Sequence, residues 1–224
     1  MRGMIKLICI DMDGVLVPSH NFWLELHKAF GTLEEGATLA KAYLTTDYQR
    51  LVQEVVGRLW QGRDATPYYT LVHKIPHLQG IQEFFTALNT FSDEHGNSIP
   101  RAIVSGGCYD VAVRIKNEYG ISFLFANQLV IKNGLVSDQF HWPVGFGGYT
   151  KVQIIQQLCD DLEILPQNVL MIGDSEGDLE AFKIAGTSIA FNSQSKLLKE
   201  NATHVVDSDN LLDMLPVLER IRKE

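Results

Sequence analysis

The stretch ICIDMDG (8–14) ends an apolar run with two carboxylates, Asp11 and Asp13, one residue apart. Residues two apart on an extended chain face the same way, so the two acids share a direction. Like charges that close repel strongly where water is scarce, and a cation or a shared proton is needed to keep both. A divalent cation with oxygen ligands meets that need, and Asp174, beside Gly173 in GDSEGDLEAF (173–182), offers a third carboxylate. A lone Asp-x-Asp can equally be a solvated turn or a pair of helix caps, so the remaining segments decide.

Ser105-Gly106-Gly107 follows another apolar run. Free N–H groups of small residues opening a helix, with a serine hydroxyl beside them, form an anion site, although glycines there also serve as a plain strand-to-helix turn. Lys151 falls in the first turn of the helix that Thr150 would cap, where the macrodipole disfavours a cation, so a phosphate or carboxylate partner would explain its place. Asp178 and Glu180 can be read as ordinary acids at a helix start, whereas Asp174 at a strand end is harder to account for in that way. GFGGYTK (145–151) fails as a phosphate-binding P-loop, because Thr150 stands where glycine must precede the lysine and Val152 follows it. Nor does a Gly-x-Gly-x-x-Gly open a helix after the first strand, which removes the main support for dinucleotide binding.

These residues need a frame that brings strand ends together. Short β-rich runs recur at 5–10, 99–105, 168–174, 187–191 and 203–207, separated by helical periodicity. That alternation predicts an α/β fold, a doubly wound, Rossmann-like parallel sheet with helices on both faces and its ligand site at the carboxyl ends of the strands. Helices are expected over 107–119, ending at Gly120; over 151–163; and over 178–185, ending at Gly186. Asn133-Gly134 between LVI and LV predicts a hairpin over 126–138. From 18 to about 92 the pattern is helical only, with Phe22, Leu26 and Phe30 closing at Gly31, Leu51, Val55 and Leu59 after Asp47, and Thr66-Pro67 as cap and first helical residue. Residues 18–75 are therefore expected to form a helical cap inserted after the first strand. The α/β core is expected over 1–17 and 76–224, including a helix near 79–91. The cap aromatics Phe22, Trp23, Trp60, Tyr68 and Tyr69 could reach a substrate, though helical spacing assigns most of them to the interior.

With 224 residues and 46% apolar content the chain can bury a substantial core. Its formal charge of −8 provides no general field for nucleic acid or an anionic membrane, so any anionic ligand must be held locally. No run is long enough to span a bilayer, and the basic, short apolar N-terminus lacks a cleavage site. Cys9, Cys108 and Cys159 are widely spaced, without a Cys-x-x-Cys, which fits a reducing, cytoplasmic setting rather than a disulfide framework or a thiolate zinc site.

Taken in order, DMDGVL (11–16), VSGG (104–107), Lys151 and GDSEGD (173–178) resemble the motifs of the haloacid dehalogenase superfamily of phosphohydrolases. IVSGGCYDVAVRI, FLFANQLVIKNG and a helical cap directly after the first motif resemble the phosphoserine phosphatase branch. The resemblance implies Asp11 as a nucleophile forming an aspartyl-phosphate and Asp13 as general acid and base. It implies Mg²⁺ held by Asp11, the backbone carbonyl of Asp13 and Asp174, and Ser105 and the Gly106 N–H on the substrate phosphate. Lys151 would neutralise that phosphate, and Asp178 would orient Lys151 or a metal-bound water. The implied partner is a small phosphorylated metabolite, met by a monomer or a homodimer.

The chain also departs from the branch. Where a cap glutamate reads the substrate ammonium, VPSHNFW (17–23) has His20 and no acid before Glu25. Arg50, Arg58 and Arg63 are the candidates for a carboxylate-binding arginine by composition alone, and Gly177 replaces the usual asparagine near the metal. The reaction is thus expected to be phosphomonoester hydrolysis of a small phosphorylated metabolite in the manner of the phosphoserine phosphatases, with these departures leaving the substrate itself open. Alternatives are a phosphotransferase or mutase, a receiver-like phosphoacceptor, or a non-catalytic phosphate-binding protein.

Overall fold

The computed structural model describes residues 4–18, 21–145 and 148–223, without the side chains of 148 and 149, so His20 lies outside the described residues. Among them a seven-stranded sheet runs in the order β4-β3-β2-β1-β5-β6-β7. Its strands are β1 (Leu7–Ile10), β2 (Arg101–Cys108), β3 (Phe123–Lys132), β4 (Leu135–His141), β5 (Val169–Gly173), β6 (Thr187–Phe191) and β7 (His204–Val206). Every pairing is parallel except β3 with β4. Continuous apolar runs such as LICI and VLMIG are wholly buried because parallel strands are covered on both faces. Alternation then sorts their side chains: Ile8 and Ile10 join one apolar cluster, Leu7 and Cys9 the other.

The helices on the second cluster are α7 (Gly148–Asp161), α8 (Leu179–Ile184) and α9 (Lys196–Asn201); those on the first include α5 (Ile81–Leu88), α6 (Tyr109–Tyr119) and α10 (Leu215–Lys223). Between β1 and α5 the described chain is helical, with α1 (Phe22–Ala29), α2 (Leu33–Tyr43), α3 (Tyr48–Val52) and α4 (Thr66–Lys74). Its apolar residues Phe22, Leu26, Val56, Trp60 and Tyr68 belong to the same cluster as Ile8, Ile10 and Ile103 of the sheet.

Several expectations are corrected in detail. β2 does not stop at Ser105 but continues through Gly106 and Gly107 to Cys108, pairing with β3 across a register shift between Val104 and Cys108, so α6 begins at Tyr109. β3 begins at Phe123 rather than at 126, because its first half lies parallel to β2 before its second half turns back against β4. At that hairpin Asn133 (φ 52°) and Gly134 (φ 78°) both take the left-handed conformation a tight turn requires. α7 starts at Gly148, which places Thr150 inside the helix instead of at its cap. Thr66 is likewise the first residue of α4, not its cap. After α3, capped by the Asp47 side chain on the Arg50 N–H, residues Gln53–Trp60 wind as a π-helix.

Candidate active site

β1 and β5 lie side by side, Ile10 opposite Ile172, so Asp11 and Asp174 emerge from neighbouring carboxyl ends. Asp11 is 6% exposed, and both its oxygens are tethered: Oδ1 accepts the Met12 N–H at 2.7 Å, and Oδ2 meets Lys151 Nζ at 2.9 Å. Lys151 is equally buried and reaches Asp178 Oδ1 at 2.7 Å. Burial alone would lower the Lys151 ammonium, but the charges of Asp11 and Asp178 outweigh it and hold the group above its ordinary value. These two carboxylates explain why a lysine sits in the first turns of α7 against the macrodipole.

Asp178, fully buried, does more than the helix-start role its position suggested. Its Oδ2 accepts the N–H groups of Asp174 and Ser175, so one carboxylate fixes both Lys151 and the loop that carries Asp174. Glu180 pairs instead with Lys183, and Glu176 accepts from Ser195 Oγ.

Asp11, Asp174 and Asp178 offer carboxylate oxygens that all lie within 4.8 Å of one another. Burial, with the charges of Asp11 and Asp178, pushes the Asp174 carboxyl up to about 7. Hard oxygen donors crowded in this way suit Mg²⁺. The Asp13 side chain stands apart from this cluster; burial first, then Asp11 and Asp174, push its carboxyl up to about 8. The two acids of the opening motif therefore have different surroundings.

Glycine makes room for each of the other acids. A Cβ on Gly14, which sits at φ +84°, would lie 2.1 Å from Asp174 Oδ2; on Gly107, 2.1 Å from Asp13 Oδ2; on Gly173, 2.3 Å from Asp178 Cγ. Ser105 is 1% exposed and its Oγ accepts the Gly107 N–H at 3.2 Å, leaving the hydroxyl proton as the donor. The Gly106 carbonyl is held from two sides, by Asn127 Nδ2 at 3.1 Å and by Trp23 Nε1 at 3.0 Å. Asn127, 2% exposed, also bonds both the carbonyl and the N–H of Val144, tying the loop before α7 to the end of β2.

Sequence reasoning did not single out Asn127, whose signal was a polar residue inside an apolar strand. Trp23 was one of five cap aromatics, and it is the one bonded to the Gly106 backbone. Phe22, Trp60 and Tyr68 are interior, and Tyr69 is 43% exposed. The candidate cap arginines are engaged elsewhere: Arg50 lies over the Tyr43 ring, Arg58 pairs with Glu54 and Glu35, and Arg63 donates to the Leu59 and Phe30 carbonyls. Glu25 pairs with Lys28.

Asp174 and Trp23 each line a cavity. One of about 680 Å³, lined partly by Gly14, His77, Asp174, Glu176 and Asn192, opens on the Asp174 side. The other, about 210 Å³ and largely apolar, lies among the helices with Trp23 in its wall.

Comparison with known proteins agrees with this architecture. A family model described as haloacid dehalogenase-like hydrolase matches residues 108–213. A phosphoserine phosphatase of Archaeoglobus fulgidus is 28% identical over 215 residues; the alignment covers 95% of this chain and 60% of that protein, so the chain spans less than two thirds of that relative. The phosphoserine phosphatase of Methanocaldococcus jannaschii is 26% identical, covering 94% of this chain and 96% of its own. A crystal structure of a phosphoserine phosphatase in apo form superposes with a TM-score of 0.75 at 25% identity, covering 95% of this chain and 98% of the other. A structure titled as the phospho-aspartyl intermediate analogue of a phosphoserine phosphatase superposes equally well at 24% identity, a likeness of fold. In sequence and in fold the chain is similar to haloacid dehalogenase-like hydrolases and, among the proteins compared, to phosphoserine phosphatases.

Proposed function

We propose that the protein is a Mg²⁺-dependent phosphomonoesterase that works through an aspartyl-phosphate on Asp11. The observation that carries this reading is the contrast between two aspartates one residue apart: Asp11 fixed by Lys151 and the Met12 N–H, and Asp13 turned against Gly107. Such a separation of environments assigns attack to one acid and proton transfer to the other.

Asp11 attacks phosphorus while the bond from phosphorus to the leaving oxygen breaks, and Asp13 gives its proton to that oxygen. Asp13 then takes a proton from water as the water attacks phosphorus, releasing phosphate and restoring Asp11. Lys151, the Ser105 hydroxyl and the Gly106 N–H would compensate charge on the phosphoryl oxygens. Asp11, the Asp13 carbonyl and Asp174 would hold Mg²⁺, which supplies further compensation of that charge when bound; the crowded carboxylate oxygens fit such an ion. Asp178 would keep Lys151 and the Asp174 loop in register.

The helical segment 18–75 would act as the cap that excludes water and selects the substrate. No helix among the described residues is long and apolar enough to cross a membrane, and a cytoplasmic place of action fits the free, buried thiols of Cys9, Cys108 and Cys159.

Incubation with 4-nitrophenyl phosphate and Mg²⁺ tests the reading. Turnover that vanishes in Asp11→Asn is expected; absence of turnover, or its persistence in that variant, would exclude it.

A further inference from the structure

Asp13, proposed to protonate the leaving oxygen, packs against Gly107, and the carbonyl of the adjoining Gly106 is bonded to the Trp23 indole. The Trp23 indole is thus tied to the backbone one residue from the glycine against which the proposed acid packs. Asp174 lines the larger, more polar cavity, in whose wall Trp23 does not appear.

Trp23 is also a wall of the cavity of about 210 Å³ among the helices, shared with Leu44, Tyr48, Val55, Trp60 and Phe140. An apolar cavity of about 150 Å³ already admits a benzene ring, so this one has room for an aryl or branched alkyl group. Among the described residues no Lys, Arg, Asp or Glu lines it. Its one imidazole, His27, accepts or donates at Thr32 Oγ1 (2.8 Å) and packs on Trp60 with ring centroids 4.6 Å apart. Among the described lining residues there is thus no fixed cation for a substrate carboxylate and no anion for a substrate ammonium. Arg50, Arg58 and Arg63, the arginines considered from the sequence, and Glu25 each have another partner.

We propose that the substrate is a phosphomonoester of an uncharged, largely apolar alcohol, whose leaving group occupies this cavity. The inference rests on the phosphomonoesterase reading and names the substrate class for the same site. A zwitterionic leaving group would place both its charges in a largely apolar cavity with no oppositely charged side chain among its described lining residues, and such uncompensated groups discriminate strongly between ligands.

The test compares 2-phenylethyl phosphate with phosphoserine at equal Mg²⁺, since both release a primary alkoxide and differ chiefly in charge and apolar area. The specificity constant for 2-phenylethyl phosphate is expected to exceed that for phosphoserine by about tenfold or more. In Ala40→Leu, a partly buried position that narrows the cavity, the KM for 2-phenylethyl phosphate should rise several-fold. A preference for phosphoserine, or an unchanged KM in Ala40→Leu, overturns the proposal. If neither ester is hydrolysed, the hydrolase reading fails on its own, and the cavity is judged by tryptophan emission. A shift on adding 2-phenylethanol that Ala40→Leu abolishes supports the apolar site, and no shift refutes it.

Discussion

Gly14→Ala separates backbone strain from disruption of the metal site. Gly14 sits at φ +84° and its absent Cβ would lie 2.1 Å from Asp174 Oδ2, whereas Gly31, at φ +66°, has nothing within 4 Å of the corresponding position. Alanine in the left-handed region costs about 1–2 kcal/mol at either site, and for a chain of this size each kcal/mol lowers Tm by about 2–4 °C. Both variants should therefore melt about 2–8 °C lower, on the same principles. Only Gly14→Ala must also push the Asp174 carboxylate aside, and a misplacement near 1 Å can cost about 10²-fold in rate. Thermal melts by circular dichroism, with Mg²⁺ titrations of 4-nitrophenyl phosphate turnover, measure the two effects independently. Wild-type Mg²⁺ activation in Gly14→Ala, or an equal loss of activity in Gly31→Ala, would refute the reasoning.

Lys151→Met leaves Asp11 and Asp178 as uncompensated buried acids, so denaturant melts should show a loss of about 3–5 kcal/mol, together with a fall in kcat of at least about 10²-fold. Lys151→Arg, keeping the charge but not the single-point geometry between the two carboxylates, should recover stability more than rate. Asn127→Ala removes one of the two donors on the Gly106 carbonyl and both side-chain bonds to Val144; kcat should fall about tenfold or more while Mg²⁺ affinity, read by titration, stays near wild type. Chelation by EDTA should abolish turnover and added Mg²⁺ restore it, and activity that survives chelation would remove the metal from the account.

Much of the frame was legible because its signals are local. A wholly buried parallel strand reads as an unbroken apolar run, as in TSIAF, which matches β6 residue for residue. Asn133-Gly134 carried its own backbone requirement. Asp11 and Asp174 stood out because each follows such a run, and the structure brings their carboxylates together; Asp13 stood out by its spacing from Asp11. What escaped was set by tertiary context. The extension of β2 through Ser105-Gly106-Gly107 depends on pairing with β3, and helical periodicity does not distinguish the π turn at 53–60 from an α-helix. The pairing of Asp178 with Lys151, 27 residues away, came from the resemblance and from no local pattern. Trp23 and Asn127 act on the backbone of Gly106, across 83 and 21 residues, where no sequence pattern links donor to acceptor.

The division of labour between Asp11 and Asp13 is tested most directly by burst kinetics of Asp13→Asn with 4-nitrophenyl phosphate and Mg²⁺. 4-Nitrophenolate leaves without a proton, so Asp11 can still be phosphorylated, while the water that clears it has lost its base. A burst of about one 4-nitrophenolate per protein, followed by a stall, with a phosphoryl adduct mapped to Asp11 by mass spectrometry after acid quench, is the expected result. Steady turnover without a burst, or an adduct on any other residue, would contradict the account.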